Sequence, residues 1–426
     1  MSKSAIAIES AGVKTTQSSG LEPMPPVVVL NLFHSGLGIV RQLSRTGVRV
    51  VGLSAHPYIY GNFTRLCQVC VAPNSQEQPE QLAERLLQLA PELNGAVIFP
   101  TRDADVLFLD RFRHDLERFY KLAIPAPQAL FRVIDKAALV QTAIEAGTPA
   151  PRTTVVNDWA QLQLAATTVG FPCVVKPVSS VHWRQGNDWK AVGGRKAFRA
   201  NNLSELRNIY SRVSSVRSEI LLQEWIPGKT DQIVVWGGYL GQGSEPLAYF
   251  TARKIVQSPD DFGTGCIVET DYLPELLVPS LRLCRALGYE GIAEIEYKRD
   301  VRDGTLKLIE INARHWDWHQ LGDASQINLT WVAYCHLTGR SVSPLRPSVR
   351  RAKWIAEDSF LTHALAGLYR GEWPPLEIWR AFSGQRMYSI FAREDLRPFL
   401  RYSVAAMLPA LARAAIQKVR DAVLKQ

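Results

Sequence analysis

Apolar residues follow two different periods along this chain. Val27-Val28-Val29-Leu30-Asn31-Leu32 and Val48 to Leu53 are runs of strand length. Between them Phe33-His34-Ser35-Gly36-Leu37-Gly38 leads into a helical pattern through Leu43, which closes a βαβ unit of the doubly wound kind. Gly36-x-Gly38 lacks the third glycine of a dinucleotide fingerprint and reads as a tight turn into the helix. Gly95 to Pro100 repeats the strand signal. Thr101-Arg102-Asp103-Ala104-Asp105 follows it, at the strand end where open α/β sheets bind ligands.

The texture changes after Asp135. Lys136 to Ala146 predicts an amphipathic helix stopped by Gly147, and Phe171 to Pro177 a short buried strand carrying Lys176. Ser179 to Gly194, rich in Ser, Gly, Trp and charge, reads as a mobile loop or hairpin that carries His182, Trp183, Arg184, Trp189 and Lys190. Ile220 to Gln223 is another strand. Gly291 to Tyr297 and Leu306 to Asn312 both alternate with period two around Arg302-Asp303-Gly304, an antiparallel hairpin. Glu294 and Glu296 share one face of its first strand, and Glu310 and Asn312 one face of the second. Carboxylate and amide oxygens on facing strands form a hard-oxygen site of the kind Mg²⁺ prefers, completed by water and phosphate. Glu296 depends on the hairpin register, because a one-residue slip would turn its neighbours inward.

In this order the motifs resemble the ATP-grasp superfamily, specifically its carboxylate–amine ligase-like branch. The pieces are Asp135-Lys136, Val175-Lys176-Pro177, Gln223-Glu224-Trp225-Ile226-Pro227-Gly228, Arg253-Lys254, Glu296, and Glu310-Ile311-Asn312-Ala313-Arg314. The resemblance implies an α/β architecture, an α+β ATP-grasp fold preceded by a Rossmann-like parallel-sheet domain. The expected layout is a flexible tail over 1–25, the Rossmann-like domain over 26–125 and the ATP-grasp domain over 126–345, with a mobile lid at about 179–225. A basic, mainly helical extension would cover 346–426.

The resemblance also assigns roles. Lys136 and Lys176 would lie along the α- and β-phosphates of ATP as point charges. Glu224, Trp225 and Ile226 would line the adenine pocket, and Asp231 would take the ribose hydroxyls, although relatives usually place Glu there. Lys254, with Arg253, would neutralise the transferring γ-phosphate. Glu296, Glu310 and Asn312 would hold Mg²⁺ or Mn²⁺, and Arg314 would steady a carboxylate or a tetrahedral intermediate. The implied activity is ATP-dependent ligation of small molecules: a carboxylate becomes an acyl phosphate, which an amine or similar nucleophile then attacks. A kinase-like phosphotransferase and a non-catalytic nucleotide-binding, membrane-associated module are the alternatives. His315-Trp316-Asp317-Trp318-His319 is distinctive, and its rings are expected to line the acceptor pocket or pack beneath it.

Composition adds limits. The six cysteines make no disulfide framework, which points to a reducing cytoplasm, and Cys67-Gln-Val-Cys70 is a lone pair. No apolar run is long enough for a spanning helix. The net charge is +9, and the segment from Arg346 to Gln426 holds 14 Lys and Arg against 7 Asp and Glu, or +7 of that excess. No nucleic-acid module surrounds Trp354, Trp373 and Trp379, so no nucleic-acid partner is expected. Apolar residues from Val404 onward recur at helical spacing with basic residues between them. Such a helix docks on the body or makes peripheral contact with a membrane, and Pro409 is expected near a break in it.

Overall fold

The computed structural model describes residues 24–179, 182–183, 186–348, 350–370 and 382–423. The proposed tail up to residue 23, Arg184, Trp373 and Trp379 therefore lie outside the described residues.

The first layer is a parallel sheet of β1 (Val27–Leu30), β2 (Val50–Ser54), β3 (Gln68–Val71), β4 (Val97–Phe99) and β5 (Lys121–Leu122), in the order β3-β2-β1-β4-β5. Its central strands are apolar on both faces, as strands covered on both sides must be. Gly36 sits in helix His34–Ser44, where a Cβ would come within 1.9 Å of the Asn31 carbonyl oxygen. Gly36 thus stands in the helix's own first turn rather than in a turn before it, and the close approach of Asn31 is what requires glycine there. The loop 101–105 lies at the C-terminal end of β4, with Asp105 buried and bonded to Asn31, Ser75 and Arg102.

A small antiparallel sheet follows, made of β6 (Thr153–Val156), β7 (Cys173–Lys176), β8 (Phe198–Ala200) and β9 (Ile220–Glu224), in the order β6-β9-β7-β8. The segment expected as a loop or hairpin contains a short helix, Gly186–Ala191, and packs Trp183 into this sheet's core. The apolar bulk of Trp183 gains more from burial than a solvated loop would offer.

The largest sheet comprises β10 (Ile233–Leu240), β11 (Pro246–Ser258), β12 (Thr264–Thr270), β13 (Gly291–Arg299), β14 (Leu306–Asn312), β15 (Ala352–Ile355) and β16 (Gln385–Tyr388). Their order is β14-β13-β10-β11-β12-β15-β16, antiparallel except between β15 and β16. The basic segment beyond residue 345 thus adds two strands to this sheet besides its helices. It is also locked to the first layer. Arg41 donates to the carbonyls of Ser389 and Ile390 at 2.8 and 2.6 Å, and Glu357 accepts from Ser389 Oγ at 2.6 Å and from the Ile390 amide. At the expected Pro409 break, helix Arg397–Tyr402 passes through a π-turn at Ser403–Met407 into helix Leu408–Val423.

Candidate active site

A cavity of about 930 Å³ lies between the small and large sheets and reaches the C-terminal end of β4. Its floor is set by strand register. Glu294 pairs with Asn312 and Glu296 with Glu310 across the hairpin, while Val235 of β10 pairs with both Glu296 and Ala252 of β11. Residues opposite one another share a face, so Glu294, Glu296, Glu310 and Asn312 form one acidic patch. Lys254, two residues from Ala252, joins it. Lys254 Nζ meets Glu296 Oε1 at 2.5 Å, with both side chains buried. Gly237 lies in the same row as Glu294. Trp316 rests on that glycine, at a place where a Cβ would come within 2.5 Å of the ring.

Burial and the crowding of three carboxylates set the charge states of this patch. Burial pushes the Glu294 carboxyl well above its usual range, and the neighbouring Glu296 charge adds to the effect. Burial also raises Glu296, in spite of Lys254. Glu310 goes the other way: burial works upward, but Lys254, Lys196, Lys136 and Lys176 together hold its carboxyl low. Burial lowers Lys254, but the three carboxylates outweigh it and the amine ends raised. Oε1 of Glu294 is buried with no hydrogen-bond partner, while Oε2 accepts from Asn312 Nδ2 at 2.8 Å. Among the described residues no three His, Cys, Asp or Glu side chains converge as a complete ligand set. The donor chemistry fits a hard cation that takes its remaining ligands from Asn312, phosphate and water.

The small sheet supplies the opposing cations. Lys176, at the end of β7, donates to Gln223 Oε1 at 2.8 Å, and its amine is held low by burial in spite of Glu310 and Glu296. Lys136 opens helix Lys136–Glu145, capped by Asp135, and donates to the Pro177 carbonyl at 3.2 Å. Both border the cavity.

At the other end, Glu224, Trp225, Ile226 and Asp231 also border it, with Asp231 exposed. The Glu224 carboxylate is turned into a charge network. It accepts from Arg302 Nη2 at 2.6 Å, with Lys307 at 3.4 Å, and Asp300 binds both of those cations. The Trp225 ring has the Arg199 guanidinium 4.5 Å and the Lys298 amine 4.8 Å from its centre.

Arg253 and Lys254 diverge, as adjacent strand residues do. The Arg253 guanidinium is bound by Asp271, so of the two it is Lys254 that reaches the carboxylates. Arg314 spans the layers: Nε donates to Asp103 Oδ1 at 2.7 Å and Nη2 to Asn312 Oδ1 at 3.2 Å. Trp316, Asp317 and Trp318 border the cavity beside it. His315 and His319 are buried and stand apart from that lining, with ring centres 4.6 Å apart. His315 meets Thr330 Oγ1 at 2.9 Å, and His319 Nδ1 meets the Trp316 carbonyl at 2.7 Å.

Two features escaped the sequence reading. Lys196 borders the cavity and reaches across to Thr264 Oγ1 at 3.0 Å; its only signal was a cation just after Gly193-Gly194. The Asp300–Arg302–Lys307 network was hidden in what reads as a hairpin turn.

No family model matches the chain. It is similar to a D-aspartate ligase from Enterococcus faecium, 22% identical over 267 residues, which are 59% of this chain and 62% of that protein. It is also similar to a D-alanine–D-alanine ligase from Stutzerimonas stutzeri, 26% identical over 183 residues, 42% of this chain and 54% of that protein. The chain thus spans between half and two thirds of the length of these relatives. Its fold is shared with the biotin carboxylase domain of the Hydrogenobacter thermophilus 2-oxoglutarate carboxylase, solved with MgADP, ADP and bicarbonate. That likeness has a TM-score of 0.59 and 17% identity, and covers 77% of this chain and 72% of that one.

Proposed function

We propose that this chain, which belongs to the ATP-grasp superfamily, is a ligase that uses ATP to activate a small-molecule carboxylate for attack by an amine or similar nucleophile. The observation that carries this reading is the facing of two charge sets across one cavity. Lys136 and Lys176 stand on the small sheet, and Lys254, Glu296, Glu310 and Asn312 on the large one. The ligase relatives point the same way.

Phosphates enter between the sheets, where Lys136 and Lys176 bind the α- and β-oxygens as point charges. Ile226 and the backbone around Glu224 and Trp225 hold the base, with Glu224 fixed by Arg302 and Lys307. Asp231, exposed at the rim, takes the ribose hydroxyls. Glu296, Glu310 and Asn312 would hold Mg²⁺ or Mn²⁺, which supplies charge neutralisation for the phosphates. A carboxylate oxygen attacks the γ-phosphorus and the bond to the ADP oxygen breaks, while Lys254 balances the charge that develops; Arg253 holds the strand beside it through Asp271. Arg314, set by Asp103, steadies the acyl group as the nucleophile displaces phosphate. Closure by the segment through Lys196 keeps water from the acyl phosphate. The six free cysteines and the need for ATP suit the cytoplasm.

The test is a screen for ADP release with pooled carboxylates and amines, comparing the parent with Glu310→Gln. ADP release that needs both pools and falls at least about a thousandfold in the variant supports ligation. Turnover unaffected by Glu310→Gln removes the metal assignment, and a stable phosphorylated product formed without amine makes the protein a phosphotransferase.

A further inference from the structure

The helical end of the chain has two apolar faces, and only one is used. Phe399, Tyr402 and Met407 pack against Leu37, Tyr60 and Ile390, which docks the helix on the body. Leu396, Leu400, Val404, Leu408, Leu411 and Ile416 recur at intervals of three to five residues on the remaining surface. Each is at least 40% exposed, and Val404 is 67% exposed. No other stretch of the described residues gathers exposed large apolar side chains so closely, since such residues elsewhere are scattered singly. The turn Tyr60–Phe63 packs beside helix Arg397–Tyr402 and extends the patch with Phe63, 38% exposed, whose ring lies 5.0 Å from the Arg401 guanidinium.

Along the sequence of this stretch basic residues dominate. From Leu396 to Gln426 the sequence holds six basic residues, Arg397, Arg401, Arg413, Lys418, Arg420 and Lys425, against the single acid Asp421. Among the described residues no helix is long and apolar enough to cross a membrane. A surface that is apolar, aromatic-flanked, basic and too short to span suits a helix lying in the plane of a lipid interface.

We propose that this face docks the protein on an anionic lipid surface, with the leucines and Val404 in the acyl boundary and the arginines among the headgroups. A second copy is the weaker candidate. A two-fold pairing would set this basic face against its own duplicate and bring like charges together. The chain's own first 23 residues are also a poor cover, with two lysines against two glutamates and few bulky apolar side chains.

The probe is flotation of the full chain with phosphatidylcholine vesicles, and with vesicles that also contain about a third phosphatidylglycerol. The parent should float with the anionic vesicles and remain behind with the neutral ones. Raised salt should release it, because the attraction of the arginines is screened. Leu400→Asp combined with Leu408→Asp, both at exposed positions, should reduce flotation by about tenfold or more while ADP release in solution is unchanged. Three results would each overturn the proposal: no flotation of the parent at low salt, equal flotation of parent and double variant, or a parent dimer that the double variant dissociates without either form binding vesicles. None of these depends on whether the cavity carries out ligation, so the two readings fail separately.

Discussion

The two ends of the cavity both bury charge, and they do so on opposite terms. Around Glu224 two carboxylates meet three cations, Arg302, Lys307 and Arg152: Asp300 is held well below the usual carboxylate range by its bonds to Arg302, and Glu224 is lowered by Arg302 and its neighbours although burial works upward. Around Glu296 three carboxylates share one directly bonded cation, and two of them are raised. A network whose carboxylates are neutralised inside the protein is a fixture that holds backbone in place. A cluster in which three carboxylates crowd around one directly bonded cation has room for another, as the proposed metal site requires.

Breaking the unbalanced end should give the largest effect, with two readouts of opposite sign. Lys254→Met should lower kcat for ADP release by about 10²–10³-fold, equivalent to roughly 3–4 kcal/mol of transition-state stabilisation. The same change removes the cation that competes for the carboxylates, so Mn²⁺ should bind more tightly in the absence of nucleotide, measured by paramagnetic relaxation of water. Weaker Mn²⁺ binding would contradict the idea that Lys254 stands where a metal's charge is needed. At the balanced end Asp300→Asn should act on the fold instead. A loss of about 2–3 kcal/mol in urea unfolding is expected, with kcat close to the parent's, because buried hydrogen bonds to charged groups are lost. A kcat loss matching that of Lys254→Met would erase the distinction between the two ends.

The seam between the layers offers a milder case. Burial pulls the His34 imidazole down, but Asp358, 3.0 Å from its Nε2, together with Asp317 and Glu357, raises it from 6.5 to about 9. A histidine raised on folding stabilises fully below its unfolded value and ceases to do so as pH climbs through its folded one. Stability should therefore fall between pH 6.5 and about 9. The drop should be visible in melting curves and flattened in His34→Asn. A parent profile that is level over that range would exclude the ion pair as a stabilising element.

Much of the carboxylate cluster was legible because it lies on one hairpin. Period two places Glu294 and Glu296 on one face, and the turn residues fix the register that brings Glu310 opposite Glu296. What was hidden depends on distance along the chain. Asp103 and Arg314 meet across 211 residues, and nothing in either neighbourhood announces the other. Arg253 and Lys254 are chemically alike in sequence, and only the pleat separates them. Ala352–Ile355 and Gln385–Tyr388 are four-residue strands at a sheet edge, too short and too polar to show alternation. The segment holding them therefore read as a helical cap.

The interlock of that late segment with the first helix sets an order on synthesis. A ribosome has delivered every side chain named for ATP by residue 314, yet Arg41 waits for the carbonyls of Ser389 and Ile390, and β12 for its neighbour in Ala352–Ile355. A nascent chain halted in between would carry the full set of groups proposed for ATP on a sheet with an open edge and a buried arginine without acceptors. Such a chain would be prone to pair with other chains and open to proteolysis. A stop between residues 314 and 385 therefore yields debris rather than a working version of the proposed site.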